Sequence, residues 1–407
     1  VNKLVASRFP DDVLGDMIDI NPVELLGIAP TPLDISIFKY LFADKIVERV
    51  RRDMGYDPLD IGILRVVEGK PYVSMHAAAF SFRPHGISDE IYERMIRVYR
   101  NALVSNPALQ SRGEFDVFAM SCGEKLERVM QEAKLDDNEK AIVREAFLRI
   151  GEVFSRESTA QTENLNAFAG DYEQRTAAMN NATLDDILEH VTRGTEMFTR
   201  VVRLAFYWKS RFEELHPRED LNVLMRGHIC SVNEGLQSDL VACRNGTISR
   251  AEVVARYGHL RPGQFSVFGE SYADDPNTYL FSQMERVDVA RSRRQAHAFE
   301  SATEFRHTVT LMEARERMKF LFSQSLHLFA TKLKHQLAQR GISECDASRV
   351  SWDELRICLN DSTPLNTSCA NHELPVLLPD VIIPGLTNFG VITFSEAMPS
   401  YITTSIV

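Results

Sequence analysis

The chain has 407 residues, 44% hydrophobic, 25% charged and 9% aromatic, a balance that supports a sizeable folded core and excludes a disordered tail, a collagen repeat or a disulfide mini-protein. Its 46 Lys and Arg against 57 Asp and Glu leave a net charge of −11, which opposes attraction to nucleic acid phosphates and to anionic membrane surfaces. Neither nucleic acid nor membrane is expected as a partner.

Cys122, Cys230, Cys243, Cys345, Cys358 and Cys369 are scattered without a C-x-x-C pair, so no zinc knuckle or thioredoxin-like site is written and a reduced, cytoplasmic setting is expected. The N-x-[ST] matches at Asn181, Asn245, Asn360 and Asn366 follow no signal peptide, so glycosylation is not expected. No apolar run reaches the ~18 residues a membrane span needs. Because the chain starts at Val1 and stops on Ile406-Val407 without polar terminal residues, it reads as one module of a larger polypeptide.

In chain order, residues 1–33 hold Asn21-Pro22 and Pro30-Thr31-Pro32, which predicts an irregular entry segment. From Asp34, Ile35, Phe38, Leu41, Phe42 and Ile46 recur at helical spacing to about Arg52. Between Ile61 and Met75, two β-branched runs flank Glu68-Gly69-Lys70, which predicts a small antiparallel hairpin or sheet near residues 60–80. Beyond it the pattern is helical. Ser249/Glu252, Ser301/Glu304 and Ser351/Glu354 have the capping-box spacing, and Thr183/Asp186 is a weaker cousin. Ser282 to Arg340 has no proline, which predicts one or two long helices presenting Leu311, Phe320, Leu321, Leu326 and Leu328. Leu374 to Phe394 changes to short apolar runs with proline and glycine, which predicts short strands near the C-terminus. The expected class is α+β, predominantly α-helical: an entry linker at 1–33, a helical domain with a small sheet at 34–372, and a connection at 373–407.

There is no Walker loop, no G-x-G-x-x-G after a strand, no H-E-x-x-H, no G-x-S-x-G and no EF-hand loop. The 11 histidines do not cluster at metal-ligand spacings, and His327 with His335, eight apart on one expected helix, lacks a third ligand. No metal site is expected. The informative stretch is Arg256-Tyr257-Gly258-His259-Leu260-Arg261-Pro262-Gly263-Gln264. Gly258 reads as a left-handed helix stop and Pro262-Gly263 as a second sharp turn, so His259 and Arg261 sit on pinned backbone. A pinned guanidinium can hold a carboxylate or phosphoryl group bidentately, with His259 as donor or proton carrier. The alternative is that Arg261 pairs with a buried carboxylate and His259 satisfies a loop carbonyl.

The same stretch resembles a known family. Tyr257 to Gly263, followed by Ser271-Tyr272 and Asp275-Pro276, is similar to the segment preceding the swivelling phosphohistidine domain in phosphoenolpyruvate-synthase-like phosphotransferases of the L-glutamine kinase and rifampicin phosphotransferase type. Further blocks resemble that family in the same order: Asn21-Pro22-Val23-Glu24 to Pro30-Thr31-Pro32-Leu33, Gly69-Lys70-Pro71-Tyr72, Asn106-Pro107 with Glu114-Phe115, Gly194-Thr195 with Phe198 and Arg203, Ala314-Arg315-Glu316 with Lys319-Phe320, and Pro399-Ser400-Tyr401-Ile402-Thr403.

The resemblance implies a middle, acceptor-binding and linker module between an ATP-grasp domain and a mobile phosphohistidine domain, supplied in cis or in trans. The ferrying histidine of such enzymes lies beyond this sequence, so no catalytic residue is expected in it. ATP and magnesium belong to the complete enzyme, and this segment is expected to bind neither. The expected partner is a small-molecule phosphoryl acceptor. Phosphoryl transfer is mostly positioning and electrostatics, so His259 and Arg261 are candidates for the anionic end, with Tyr257 supporting them. Arg315 and Lys319, four apart, either add positive charge or form an ion pair with Glu316. Arg203 is either a site cation or the partner of Glu114.

One block departs from the family: His76-Ala77-Ala78-Ala79-Phe80-Ser81-Phe82-Arg83 stands where glutamine-kinase relatives carry polar residues. Either the alanines open an apolar pocket with His76 and Arg83 as its polar contacts, or they pack under a helix. Glutamine is therefore not the expected acceptor. The alternative to the phosphotransferase module is a stand-alone helical binding or scaffold protein that has lost phosphotransfer.

Overall fold

A computed structural model describes residues 17–18, 26, 30–44, 46–57, 64–67, 70–106, 117–219, 221, 224, 232–284, 302–361, 364–365 and 381–382. These residues are predominantly helical. Three long helices form the body: α6 (Asp137–Ala178), α7 (Leu184–Leu215) and α11 (Thr303–Gln339). At 1.5 Å per residue they are roughly 50–60 Å long. Around them stand α1 (Pro32–Phe38), α2 (Ile46–Asp53), α3 (Met75–Phe80), α4 (Asp89–Ser105), α5 (Glu124–Glu132), α8 (Val232–Arg244), α9 (Arg250–Tyr257), α10 (Pro276–Tyr279), α12 (Glu344–Ser348) and α13 (Trp352–Asp361). Leu64–Val67 runs antiparallel to Lys70–Ser74, with the two-residue pieces Met17–Ile18 and Val381–Ile382 alongside.

The first helix begins two residues before Asp34. Thr31 is its N-cap, Pro32 occupies the first turn, where its missing N–H costs nothing, and Asp34 closes a capping box. Residues Lys39–Asp44 then widen into a π-helical turn before α2. The capping boxes at Thr183/Asp186, Ser249/Glu252 and Ser351/Glu354 are all formed. The one at Ser301 is not the start of α11: that helix opens at Thr303 after Ala302, whose side chain has nothing to cap with, and Ser301 lies outside the described residues. The C-terminal end of α11 is Gly341 at φ +67°, with Ile342 N–H returning to the Leu337 carbonyl. Only glycine adopts that left-handed cap without strain.

Helices α6 and α7 are joined by the short turn at Met179–Asn181 and so run antiparallel; α11 runs antiparallel to α7. Phe198 meets Phe322 edge-on at 5.4 Å, His307 stacks on Trp208 at 4.6 Å, and Phe212 meets Phe305 at 5.7 Å. Each contact steps forward on one helix and back on the other. The apolar positions of α6, among them Val143, Phe147, Ile150 and Phe154, recur at the three- and four-residue spacing of one buried stripe.

One polar layer crosses all three helices. The Tyr172 hydroxyl donates to the His190 carbonyl at 3.1 Å, His190 Nε2 lies 2.9 Å from Thr176 Oγ1, and Thr176 Oγ1 lies 3.1 Å from Ser325 Oγ. The His190 ring stacks on Tyr172 at 3.9 Å. A buried polar network of this kind fixes helix register because any slip breaks its bonds, even though His190 Nδ1 finds no partner in it. Gly194 lies beside it. A Cβ there would stand 2.5 Å from the Tyr172 hydroxyl and 2.9 Å from Phe322 Cβ.

Two outcomes are expected. Gly194→Ala forces Tyr172 or Phe322 aside and lowers stability by about 1–3 kcal/mol, read as a lower urea midpoint with unchanged slope. Burial, with Arg193 and Arg175 adding to it, lowers His190 from its ordinary 6.5 to about 4. The unfolded chain therefore takes up a proton first as pH falls, and stability drops between about pH 6.5 and 4. His259 and His327, lowered to about 3 and about 4, act in the same direction. His190→Gln should flatten part, not all, of that slope in melting curves.

Candidate functional site

The segment after α9 folds back on itself. Gly258 ends the helix at φ −61°, in the right-handed region and not the left-handed one expected of it. Glycine is needed there for close approach: a Cβ would stand 2.9 Å from Ala273 Cβ, and Ala273 N–H donates to the Gly258 carbonyl at 2.9 Å. Tyr272 N–H reaches the Leu260 carbonyl at 2.8 Å, so residues 258–260 and 272–273 are stapled together.

Arg261 lies under this staple, 6% exposed. Its Nη1 donates to the Ser266 and Val267 carbonyls at 2.9 and 3.1 Å, and its Nη2 stands 3.3 Å from His327 Nδ1 on α11. Its Nε–H is buried with no hydrogen-bond partner. Burial lowers its pKa, while Asp274 and Asp34 pull it back up through space. Among the described residues no carboxylate stands within ion-pair reach of the guanidinium.

His259 is half-buried with its ring edge-on to Phe320 at 4.6 Å. Desolvation lowers it to about 3, with His327 and then Arg261 adding repulsion and backbone groups of Phe320 and Arg256 hydrogen-bonding the ring in opposition. Its Nε2 has no partner. His327 is likewise lowered to about 4 by burial and Arg261. Gln264 completes the corner, its Nε2 donating to Ser323 Oγ at 2.6 Å while its Oε1 finds no partner.

Asp34 anchors the corner from 233 positions upstream. Its Oδ1 accepts the Val267 N–H at 2.7 Å, while Oδ2 accepts from the Thr31 backbone and hydroxyl. Burial raises its pKa despite these bonds.

The eight residues singled out in the sequence fall into two places. Tyr257, His259 and Arg261 belong to the folded-back segment, and Arg315 and Lys319 to α11, where Gln264 reaches the Lys319 carbonyl. The Tyr257 hydroxyl turns to Asp239 on α8 at 3.0 Å and only its ring, 6.1 Å from Phe320, supports the loop. Arg315 pairs with Glu316 at 2.5 Å, and Lys319 is buried on the same helix. The other three belong to the α2–α3–α7 region. Arg83 pairs with Asp57 at 3.1 Å and with Asp89, and lies over the Phe80 ring. Arg203 is held between aromatic faces, 4.8 Å from Phe82 and 5.4 Å from Tyr56, with the Ser81 carbonyl at 3.5 Å. Buried Tyr56 is pushed up to about 12, with Arg203 opposing. Glu114, its expected partner, lies outside the described residues. His76 occupies the first turn of α3, and Ala77 and Ala79 are fully buried, with Tyr92 of α4 donating to the Ala79 carbonyl at 3.1 Å.

Sequence reasoning missed His327, Gln264, Ser323 and Asp34. A signal for two of them was present: Arg315, Lys319, Ser323 and His327 recur every four residues, one polar stripe along a helix. Among the described residues no group of three or more His, Cys, Asp or Glu is placed to hold a metal ion, and no helix is long and apolar enough to cross a membrane. A polar cleft of about 370 Å³ opens elsewhere, between Thr183, Asp185, Gln336, Arg340, Trp352 and Arg356. None of the eight candidates lines it.

Compared with family models, with curated proteins and with solved structures, the chain matches none of them.

Asp34→Ala removes the reciprocal half of the α1 capping box and leaves the Val267 N–H unpaired; the two losses predict a stability decrease of about 2–4 kcal/mol, measurable as a shift in the denaturant midpoint.

Proposed function

We propose that this chain is the acceptor-binding and linker module of an ATP-dependent, phosphohistidine-using phosphotransferase of the phosphoenolpyruvate-synthase-like kind, working on a small-molecule acceptor in the cytoplasm and incomplete without ATP-grasp and phosphohistidine domains. The α+β class, with its small sheet near residues 60–80 and short C-terminal strands, belongs to the same reading.

The observation that carries it is convergence. Three of the blocks that resemble this family, far apart along the chain, meet around one segment of α11. The helix that follows the entry block joins them through Asp34 to Val267 and through Phe38, edge-on to Phe265 at 5.0 Å, with Phe265 in turn 5.9 Å from Phe322. The Tyr257–Gly263 block reaches it through His259 against Phe320 and Arg261 against His327. The Gly194–Phe198 block packs on Phe322. The Ala314–Phe320 block is the segment itself. What they surround is positive and dry: a buried guanidinium held by carbonyl dipoles, with two neutral imidazoles. Such a corner favours an entering oxyanion, which water would otherwise shield.

A second reading, a helical binding or scaffold protein that has lost phosphotransfer, draws on one feature: Arg261 already donates twice to its own loop, a bracing role that needs no ligand.

The test is a thermal-shift screen of the purified chain against amino acids, amides, sugars and macrocyclic antibiotics, since a ligand of the folded state raises the midpoint by mass action. The proposal expects an acceptor that stabilises the wild type and loses its effect in Arg261→Ala, compared at each protein's own baseline, and no ATP hydrolysis by the chain alone. ATP turnover in a clean preparation, or a ligand shift indifferent to Arg261, would reject it.

A further inference from the structure

The last turn of α11, the start of α7 and one side of α13 leave between them the polar cleft of about 370 Å³, a volume within the range of small-molecule sites. Helix α11 lends it Gln336, Gln339 and Arg340, and α13 lends it Trp352, Arg356, Leu359 and Asn360. Each set falls at the three- and four-residue spacing of a single helical face. The walls are fixed without a ligand. Arg340 Nη1 donates to the Cys358 carbonyl at 3.2 Å, tying α11 to α13, and Lys332 Nζ donates to the Asn180 carbonyl at 3.4 Å, tying α11 to the turn before α7. The Trp352 N–H donates to Ser36 Oγ at 2.7 Å, and its ring meets Phe329 edge-on at 5.2 Å.

The chemistry of the lining selects its occupant. Arg340 and Arg356 share it with one acid, Asp185 on α7, so it carries one net positive charge on a chain whose total is −11. Arg356 Nη1 stands 4.0 Å from Asp185 Oδ1, too far for a hydrogen bond. A carboxylate accepting the guanidinium directly is the stronger partner. Among the described residues nothing pairs with the side-chain amides of Gln336 or Asn360, and each amide offers a donor and an acceptor, as a hydroxyl does. Trp352 is 2% exposed, so no ring face is open for an aromatic ligand to stack on. We propose that this cleft is a ligand site of its own, for a small hydroxylated monocarboxylate of the sugar-acid class. Arg356 and Arg340 take its carboxylate, and Gln336 and Asn360 take its hydroxyls. A monoanion balances the net charge, whereas a dianion would exceed it beside Asp185. The cleft shares no lining residue with the Arg261 corner.

The probe is D-gluconate, with sorbitol supplying hydroxyls without charge and propionate supplying charge without hydroxyls. Calorimetric titration of the whole chain at fixed ionic strength should show gluconate binding, and binding weaker by about tenfold or more for sorbitol and for propionate. Arg356→Gln should weaken gluconate by about tenfold or more, the loss expected of a charged hydrogen-bond donor. Asp185→Asn, which removes the competing acid, should tighten it. Arg128→Gln, at an exposed arginine on α5, should bind as the wild type does. Should Arg356→Gln fail to fold, the two tryptophans of the wild type decide: gluconate should move the indole N–H signal of Trp352 and leave that of Trp208 in place. No gluconate binding, propionate or sorbitol binding as tightly, gluconate binding indifferent to Arg356, or an unmoved Trp352 signal overturns the proposal. None of these results bears on the acceptor reading, which is tested at Arg261.

Discussion

A guanidinium taken out of water needs its charge answered, and the way Arg261 is answered sets the character of the surrounding structure. Two backbone carbonyls, from Ser266 and Val267, receive its Nη1. Dipoles stabilise a buried cation without cancelling it. The loop carrying those carbonyls is held in turn by Asp34, which accepts the Val267 N–H. Asp274 and Asp34 are the nearest things to a counter-ion, and both act on Arg261 through space. The result is a buried guanidinium on a rigid frame, oriented by dipoles rather than neutralised by a contacting acid.

The long helices explain why such a corner can persist. Its far wall is the middle of α11, and α11 cannot shift along its neighbours without breaking the Tyr172–Thr176–His190–Ser325 layer, whose Ser325 is two residues beyond Ser323. Phe322, next to Ser323, packs on Phe198 and Phe265. Register fixed at one layer is therefore transmitted to His327 and to the carbonyl of Lys319, which Gln264 reaches at 3.4 Å. The polar layer and the basic corner are parts of one arrangement, and both place neutral histidines where burial keeps them uncharged.

Local chemistry was legible in the sequence wherever the partners were close along the chain. The capping boxes at Thr183, Ser249 and Ser351 each involve residues three apart and could be read directly. The span of α11 followed from a proline-free stretch, though not its start, because Ala302 offers no cap to read. Gly258 shows the limit: its residue type correctly marked a constraint, but the constraint is a neighbouring strand of loop at Ala273, not a left-handed turn. Asp34 was read only as the start of a helix. Its second role depends on Val267, 233 positions away, and no periodicity or spacing encodes that. His327 was weighed as a metal ligand with His335, whereas the helix turns it towards Arg261 and leaves His335 against Gln339.

Three buried or half-buried arginines in this fold show why the counter-group matters more than the cation. Arg83 meets two carboxylates, Asp57 and Asp89, and its charge is cancelled locally. Arg203 lies between the faces of Phe82 and Tyr56, where ring quadrupoles hold it in a tightly packed aromatic site. Arg261 rests on carbonyls beside two neutral imidazoles. An anion arriving at the first would compete with acids already bound, and at the second would have to displace aromatic rings. At the third the guanidinium is held by carbonyl dipoles and, through space, by Asp274 and Asp34, so of these three environments only the Arg261 corner has no carboxylate in ion-pair contact among the described residues and no aromatic clamp to displace.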